Sequence, residues 1–387
     1  MTPASGDLER KTGDRRTVVA LEPWLGGSHR QFLEQWQARS RHDVRIVGLS
    51  PRHWRWRMRS SAWELARRTA GEPAPDCLLV SDYLDLPAFL GSVDTAWARV
   101  PVAAYFHENQ LTFPSAPGTS DEERERDRHL AWTNVLTVVR ADACVFNSRY
   151  HAREFGDAAR EWLRILPKPN PRAEFLAKLE EARVISPGLD LEEIPLGRGG
   201  PGNALRIAFN QRFEHDKNPA GFLRAVRSAL EETPEIELCL LGQRFEDLPE
   251  GVAPLLEELA PITVHSGFAE TREEYARHLA ESDVVCATSH HEFFGIAVCE
   301  ALAAGCAPLC PDRLAYPEVI PREHHAESLY QDEAGLVARL VAAARDPRPL
   351  RDAARRARWR EVAATFDAPL VAEELDRLVD ELSQERD

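Results

Sequence analysis

HHEFFGIAVCEALAAGCAPLCP, residues 290–311, changes character twice along its length. A polar head with a glycine at 295 passes into a run of helical composition that carries Glu300. A short apolar run, CAPLCP (306–311), follows it. Turn, helix and strand in that order form the repeating unit of a parallel sheet, because parallel strands need a long crossover and usually make it with a helix. SDVVCATS (282–289) supplies the strand that enters the turn. Further upstream, LRIAFNQRF (205–213), IELCLLGQ (236–243) and ITVHSGF (262–268) extend the series, with NPAGFLRAVRSALEE (218–232) as one of the helices between them. The same alternation runs through the first half. RTVVALEP (16–23), DVRIVGLS (43–50), CLLVSD (77–82), VPVAAYFHEN (100–109) and ADACVFNS (141–148) read as strands, and Phe32, Leu33 and Trp36 give the segment after the first strand helical spacing. The chain is therefore expected to be α/β, with two doubly wound Rossmann-like domains. Their expected bounds are 17–186 and 204–352. The glycine- and proline-rich PGLDLEEIPLGRGGPGN (187–203) joins them, and a helical tail, 353–387, packs back across both.

At 387 residues the chain has room for two cores. A 43% hydrophobic and 29% charged composition is that of a globular protein, and no apolar run reaches the roughly 18 residues of a membrane span. MTPASGDLERKTGDRR lacks the apolar core of a signal peptide, which predicts a cytoplasmic chain whose residues 1–16 are disordered. Seven cysteines without metal-ligand spacing predict reduced core thiols. The net charge of −15 is unevenly spread: residues 1–170 carry 24 Lys+Arg against 22 Asp+Glu, and residues 171–387 carry 24 against 41. A polyanion is repelled by the second half and can approach only the first.

Open parallel sheets bind ligands beyond the carboxyl ends of their strands. Four such ends here carry polar groups. Gly26 and Gly27 let backbone N–H groups approach a phosphate, or simply make a turn; the dinucleotide GxGxxG pattern is absent. In NQRFEHDKNP (210–219), Arg212 and Lys217 can converge on a diphosphate, or form a solvated basic loop. In HHEFFGIAVCEALAAG (290–305), amides around Phe294, Gly295 and Ile296 suit phosphate oxygens, Glu292 suits a sugar and Glu300 suits ribose hydroxyls. The ordinary alternative is a helix with surface glutamates. AAYFHENQLTFP (103–114) ends its strand in His107, Glu108, Asn109 and Gln110, a binding surface or a core histidine with its partners.

These motifs carry a resemblance. HHEFFGIAVCEALAAGCAPLCPDRLAYPEVI resembles the donor-binding signature of retaining GT-B glycosyltransferases of group 1, and NQRFEHDKNP resembles their Arg and Lys diphosphate clamp. LEPWLGGSHRQFLEQW, PRHWRWRMRSSAW, SDYLDLPAF and YFHENQLTFP resemble the tRNA-queuosine α-mannosyltransferases, over about Val18 to Val319. The resemblance implies a GT-B fold that transfers mannose from GDP-mannose to the cyclopentenediol of queuosine at the wobble position of an aspartate tRNA, with retention. It implies that the first domain takes the acceptor and the second the donor. Arg212 and Lys217 would neutralise the leaving diphosphate, Glu300 would hold ribose, Glu292 the sugar, and His107 would stand at the reacting face. Asp82, Glu108, Asn109 and Gln110 would meet the acceptor. No metal or other cofactor is implied, in line with the absence of an Asp-x-Asp pair at the expected strand ends.

RHWRWRMRSSAW (52–63) then gains a purpose. Aromatic rings stack on unpaired bases and arginines pair with phosphates. From Trp54 on, Arg55, Arg57 and Arg59 alternate with Trp54, Trp56 and Met58, and Arg52 precedes them, so an extended segment would put charge and rings on opposite faces toward an anticodon loop. An edge loop with wet arginines is the plain alternative. Two other functions remain open at this level: the same donor chemistry on a lipid, polysaccharide or small acceptor, and an inactive tRNA-binding protein. The first would want a basic amphipathic helix for membrane docking, which is not evident, and the second predicts damaged donor motifs, whereas all are present.

Overall fold

The structure, a computed structural model, describes residues 15–114, 118–242 and 248–384, without the side chains of 124–126. The disorder expected for residues 1–16 therefore concerns, up to residue 14, positions outside the described residues, as do the last three residues of the tail. Strands β1 (Thr17–Glu22), β2 (Asp43–Gly48), β3 (Cys77–Ser81), β4 (Val102–Phe106), β5 (Ala143–Phe146) and β6 (Arg183–Val184) form one parallel sheet in the order β2-β1-β3-β4-β5-β6. A second parallel sheet contains β7 (Leu205–Phe209), β8 (Ile236–Leu240), β9 (Thr263–Ser266), β10 (Val284–Cys286), β11 (Ala307–Pro311) and β12 (Leu329–Tyr330). Its order is β12-β11-β10-β7-β8-β9. Every expected strand is present. β6 and β12 are additional; two residues each cannot show a period.

Strand β1 shows why the sheets need cover on both faces. Val19 and Leu21 enter one core layer while Val18 and Ala20 enter the opposite one, as a period of two requires. The second layer is closed by helix α1 (Gly27–Arg39) and by the last helix, Ala368–Gln384, whose Val371, Leu375 and Leu378 pack with Phe32, Leu33 and Trp36. Burying each of these large side chains contributes about 1.5–3 kcal/mol. The contact is keyed by the buried carboxylate of Asp376, which accepts from Trp36 Nε1 at 2.9 Å, Ser40 Oγ at 2.5 Å and the Arg41 amide at 2.8 Å. The chain thus leaves the first lobe at 187–203, builds the second and returns.

That connection is tied down despite its glycines. Leu189 bridges to Asp367, and the buried guanidinium of Arg356 donates to the carbonyls of Gly197, Ala280, Ser282 and Ala304 at 2.8–3.2 Å. Arg360 reaches Leu191 and Ile194 in the same segment. All seven cysteines are buried and none is paired. Among the described residues no helix is long and apolar enough to cross a membrane.

One expectation fails. RHWRWRMRSSAW is not extended but opens helix α2 (Trp54–Arg68). Met58, Ser61, Ala62, Leu65 and Ala66 are its buried residues, the i, i+3, i+4, i+7, i+8 stripe of a helix on a core. The alternation of Trp and Arg at 54–59 is a short-range coincidence, and the deciding period begins at Met58 and continues past the end of the stretch.

Candidate active site

Each sheet has a topological switch point, where neighbouring strands are continued in opposite directions and a crevice opens beyond their carboxyl ends. In the first sheet it lies between β1 and β3. Glu22 ends β1, Ser81 ends β3 with Asp82 after it, and His107 and Glu108 follow β4. The buried Glu22 carboxylate accepts from the Trp24 amide at 2.8 Å, Ser81 Oγ at 3.0 Å and His29 Nδ1 at 3.1 Å. His29 comes from the first turn of α1, two residues after Gly27. Burial works against its charge, but the Glu22 charge and hydrogen bond, with Asp82 and Glu108 after them, together raise the imidazole to about 9, so it is a cation at neutral pH. The His107 ring stacks on it, centroids 3.9 Å apart. Burial, then the His29 charge, then His151 hold His107 well below the usual imidazole range, so it is neutral.

Asp82 Oδ1 accepts from the His107 amide at 2.9 Å, while its buried Oδ2 has no partner. Burial and the nearby Glu108 push its carboxyl well above the usual range. Glu108 Oε1 accepts from Tyr83 OH at 2.6 Å and from Gln110 Nε2 at 2.8 Å. Asn109 is different: fully buried, its Oδ1 accepts from the amides of Leu111 and Thr112 at 3.1 and 2.9 Å, so it shapes the turn and does not line the crevice.

The second switch point lies between β7 and β10. Lys217 Nζ sits 3.0 Å from Asp216, 3.2 Å from Glu292 Oε2 and 3.0 Å from the His291 carbonyl. Burial opposes its charge, yet Glu292 and Asp216 raise the ammonium above its ordinary value; Glu292 in turn, against burial, is lowered by Lys217 and by the Phe294 amide. Arg212 is half exposed and paired with Glu214 at 3.0 Å. Glu300 is buried, its oxygens 2.7 Å from Tyr275 OH and 2.7 Å from Arg272 Nη2. Asn210 Nδ2 donates to Tyr275 OH at 2.8 Å. Gly295 has φ +101, a left-handed position that turns the chain into the helix Ile296–Ala303, whose start has no side-chain cap. Gly26 is needed for another reason: a Cβ there would lie 2.5 Å from the Pro51 Cβ. Gly27 has φ +50, and a Cβ there would meet only the Trp24 ring at 4.0 Å.

The lobes meet where these clusters end. Asn147 Nδ2 donates to the His107 carbonyl at 2.8 Å, and its Oδ1 pairs with His151 Nδ1 at 2.9 Å. The His151 ring stacks on Phe293 of the second lobe at 3.8 Å, and Ser148 Oγ donates to the Phe293 carbonyl at 2.5 Å. Phe293 abuts His291, whose carbonyl takes the Lys217 proton donor. A continuous path of contacts therefore runs from His107 to Lys217. Burial raises the Glu214 carboxyl against the pull of Arg212, and Asp216 and, last, Glu108 of the first lobe add to the rise.

Sequence reasoning missed Glu22, His29, Asn147, His151, Asn210, Arg272 and Tyr275. His29 was signalled by its place in the turn that Gly26 and Gly27 open, two residues after Gly27. Arg272 and Tyr275 had no signal, since TREEYARHLA (271–280) reads as a surface helix.

On α2, Trp56 is 62% exposed and Trp63 60% exposed, seven residues apart and so on one face. Arg67 lies over the Trp63 ring at 4.9 Å. Trp54 is half-buried with Met58, Tyr83 and Leu130, which joins α2 to the Glu108 cluster. Arg55 pairs with Asp127 at 2.7 Å, Arg57 with Glu64 at 3.0 Å, and Arg59 Nε donates to His129 Nε2 at 2.8 Å. Arg52 is exposed just before the helix.

Residues 17–189 match the tRNA-queuosine alpha-mannosyltransferase N-terminal family, and residues 197–361 match the glycosyl transferases group 1 family. The tRNA-queuosine alpha-mannosyltransferase of Drosophila melanogaster is 31% identical over 347 residues, covering 86% of this chain and 88% of that protein. The chain belongs to the tRNA-queuosine α-mannosyltransferase family. Its fold is shared with more distant proteins. Sucrose-phosphate synthase of Thermosynechococcus elongatus superposes with a TM-score of 0.70 at 15% identity, covering 95% of this chain and 99% of that one. The HepE protein of Anabaena, solved with UDP and glucose, gives 0.66 at 14%, covering 95% and 100%. Like these, the family member has a GT-B fold, and it is a glycosyltransferase. The boundary between the two family matches falls inside the tied-down connection after β6.

Proposed function

We propose that this chain transfers mannose from GDP-mannose to the cyclopentenediol of queuosine at the wobble position of tRNA-Asp, with retention of configuration, and does so without a metal ion. The observation that carries the reading is the facing of two unlike clusters: one centred on the neutral imidazole of His107 on the lobe that matches the family's N-terminal half, and one with Lys217 and Arg212 on the group 1 lobe.

The donor lies on the second lobe. Its diphosphate takes Arg212 away from Glu214, meets Lys217, and accepts from the uncapped amides around Phe294, Gly295 and Ile296, with the start of α1 at Gly26 and Gly27 opposite. These donors are fixed before the bond breaks, which is where electrostatic stabilisation counts most. Glu300, oriented by Tyr275 and Arg272, accepts from ribose hydroxyls, and Glu292 from sugar hydroxyls. His107, neutral and locked between His29 and Asn147, presents an imidazole lone pair to the sugar or the acceptor hydroxyl. Asp82 Oδ2, Glu108 and Gln110 hold the acceptor diol. Trp56, Trp54 and Trp63 with Arg52, Arg55, Arg57 and Arg59 meet the anticodon loop; Arg55 and Arg57 exchange carboxylate partners for phosphates.

The test is direct. The chain is incubated with GDP-mannose and queuosine-containing tRNA, the RNA is digested, and mass spectrometry is expected to show a nucleoside heavier by one hexose. UDP-glucose and UDP-galactose in parallel are expected to give none; a product only with a UDP-sugar overturns the donor assignment.

A further inference from the structure

We infer that His265, Glu274 and His278 form a binding site for one divalent transition-metal ion of zinc-like chemistry, away from the reaction centre. His265 lies on β9, the edge strand of the second sheet, and Glu274 and His278 lie four residues apart on one face of the Arg272–Ala280 helix packed beside it. One ligand atom from each falls within 4.8 Å of the others, and the imidazole centroids are 4.1 Å apart. Two imidazoles and one carboxylate are the donor set of zinc sites that keep a fourth position for water, whereas magnesium and calcium take oxygen ligands.

The surroundings suit ligation. His265 Nε2 meets the Gly267 carbonyl at 3.2 Å; a carbonyl only accepts, so Nε2 carries the proton and Nδ1 keeps its lone pair. Glu274 Oε2 accepts from the Glu270 amide at 2.8 Å, which aims the carboxylate. The Arg277 guanidinium, now 3.1 Å from His278 Nε2, has a second partner in Glu281 at 3.3 Å, toward which it withdraws when the ion binds. Among the described residues one other comparable group exists, Glu22, His29 and His107, and there the His29 proton is committed to Glu22. A bound ion ties β9 to the helix whose Arg272 and Tyr275 hold Glu300.

The full chain, stripped with EDTA and dialysed, is titrated with zinc sulfate by calorimetry and with cobalt(II) by visible spectroscopy. One ion per chain is expected, with ligand-field bands from cobalt, and zinc is expected to raise the melting temperature. His265→Asn, His278→Asn and the surface change Glu274→Gln are each expected to weaken binding about tenfold or more, while His29→Gln leaves it intact. Glu274→Gln, whose amide oxygen keeps the Glu270 bond, serves as the variant with a parental melt in EDTA. No saturable binding, binding unaltered by all three changes, or binding lost with His29→Gln would overturn the assignment.

Discussion

The two strand-end clusters solve opposite problems. In the first lobe the ion pair of His29 with Glu22 is sunk beneath a neutral imidazole, and the cluster offers to the crevice that imidazole, the Asp82 and Glu108 carboxyls and the Gln110 amide. In the second lobe the cations themselves face the crevice, each parked on a carboxylate: Lys217 on Asp216 and Glu292, Arg212 on Glu214. A hydroxyl acceptor needs orientation and a lone pair, and a departing diphosphate needs positive charge that costs little to redirect. The difference teaches that the division of labour is written in electrostatics as much as in topology.

Breaking the donor side has the largest expected effect. Lys217→Ala, and separately Arg212→Ala, lowers kcat by about 10²-fold or more, as removal of one preorganised donor does elsewhere; turnover within threefold of the parent would refute the role. Tyr275→Phe sharpens the contrast, because it removes one hydrogen bond to the charged Glu300. It raises KM for the nucleotide sugar about tenfold and leaves tRNA affinity unchanged, measured by initial rates with each substrate varied. Trp56→Ala does the reverse: tRNA binding weakens about fivefold, the loss of one weak base stack, with KM for the donor unmoved. If Trp56→Ala alters the donor constant instead, the lobes are not divided as described.

A separate effect concerns pH and stability. His29 has its folded value raised to about 9 from 6.5, so its contribution to stability is fully present below pH 6.5 and is lost as pH rises through 9. The melting temperature therefore falls over that window, and His29→Gln flattens the fall. A parent curve that is already flat would show that the imidazole is not charged in the folded lobe.

The fold was legible because both sheets are parallel and buried, which makes their strands continuous apolar runs such as CLLVS and LRIAF. That Arg212, Lys217 and Glu292 stand beyond strand ends was legible because they follow β7 and β10 within a few residues, whereas Glu300 lies inside the helix Ile296–Ala303. Helix α2 was misread because its deciding stripe, Met58 to Ala66, runs past the conspicuous tryptophans. Asn109 looked like a ligand group, yet it serves the backbone of its own turn, a role that only the hydrogen bonds reveal. His29, Tyr275 and Arg272 act across long sequence separations, on Glu22 in the first lobe and Glu300 in the second, and no local pattern announces such partners.

The central claim is that the two clusters form one reaction centre. A crystal structure of the chain with a non-hydrolysable GDP-mannose analogue tests it most directly. The account predicts the diphosphate on Arg212 and Lys217 and the sugar between Glu292 and His107; a nucleotide sugar bound at any other place would contradict it.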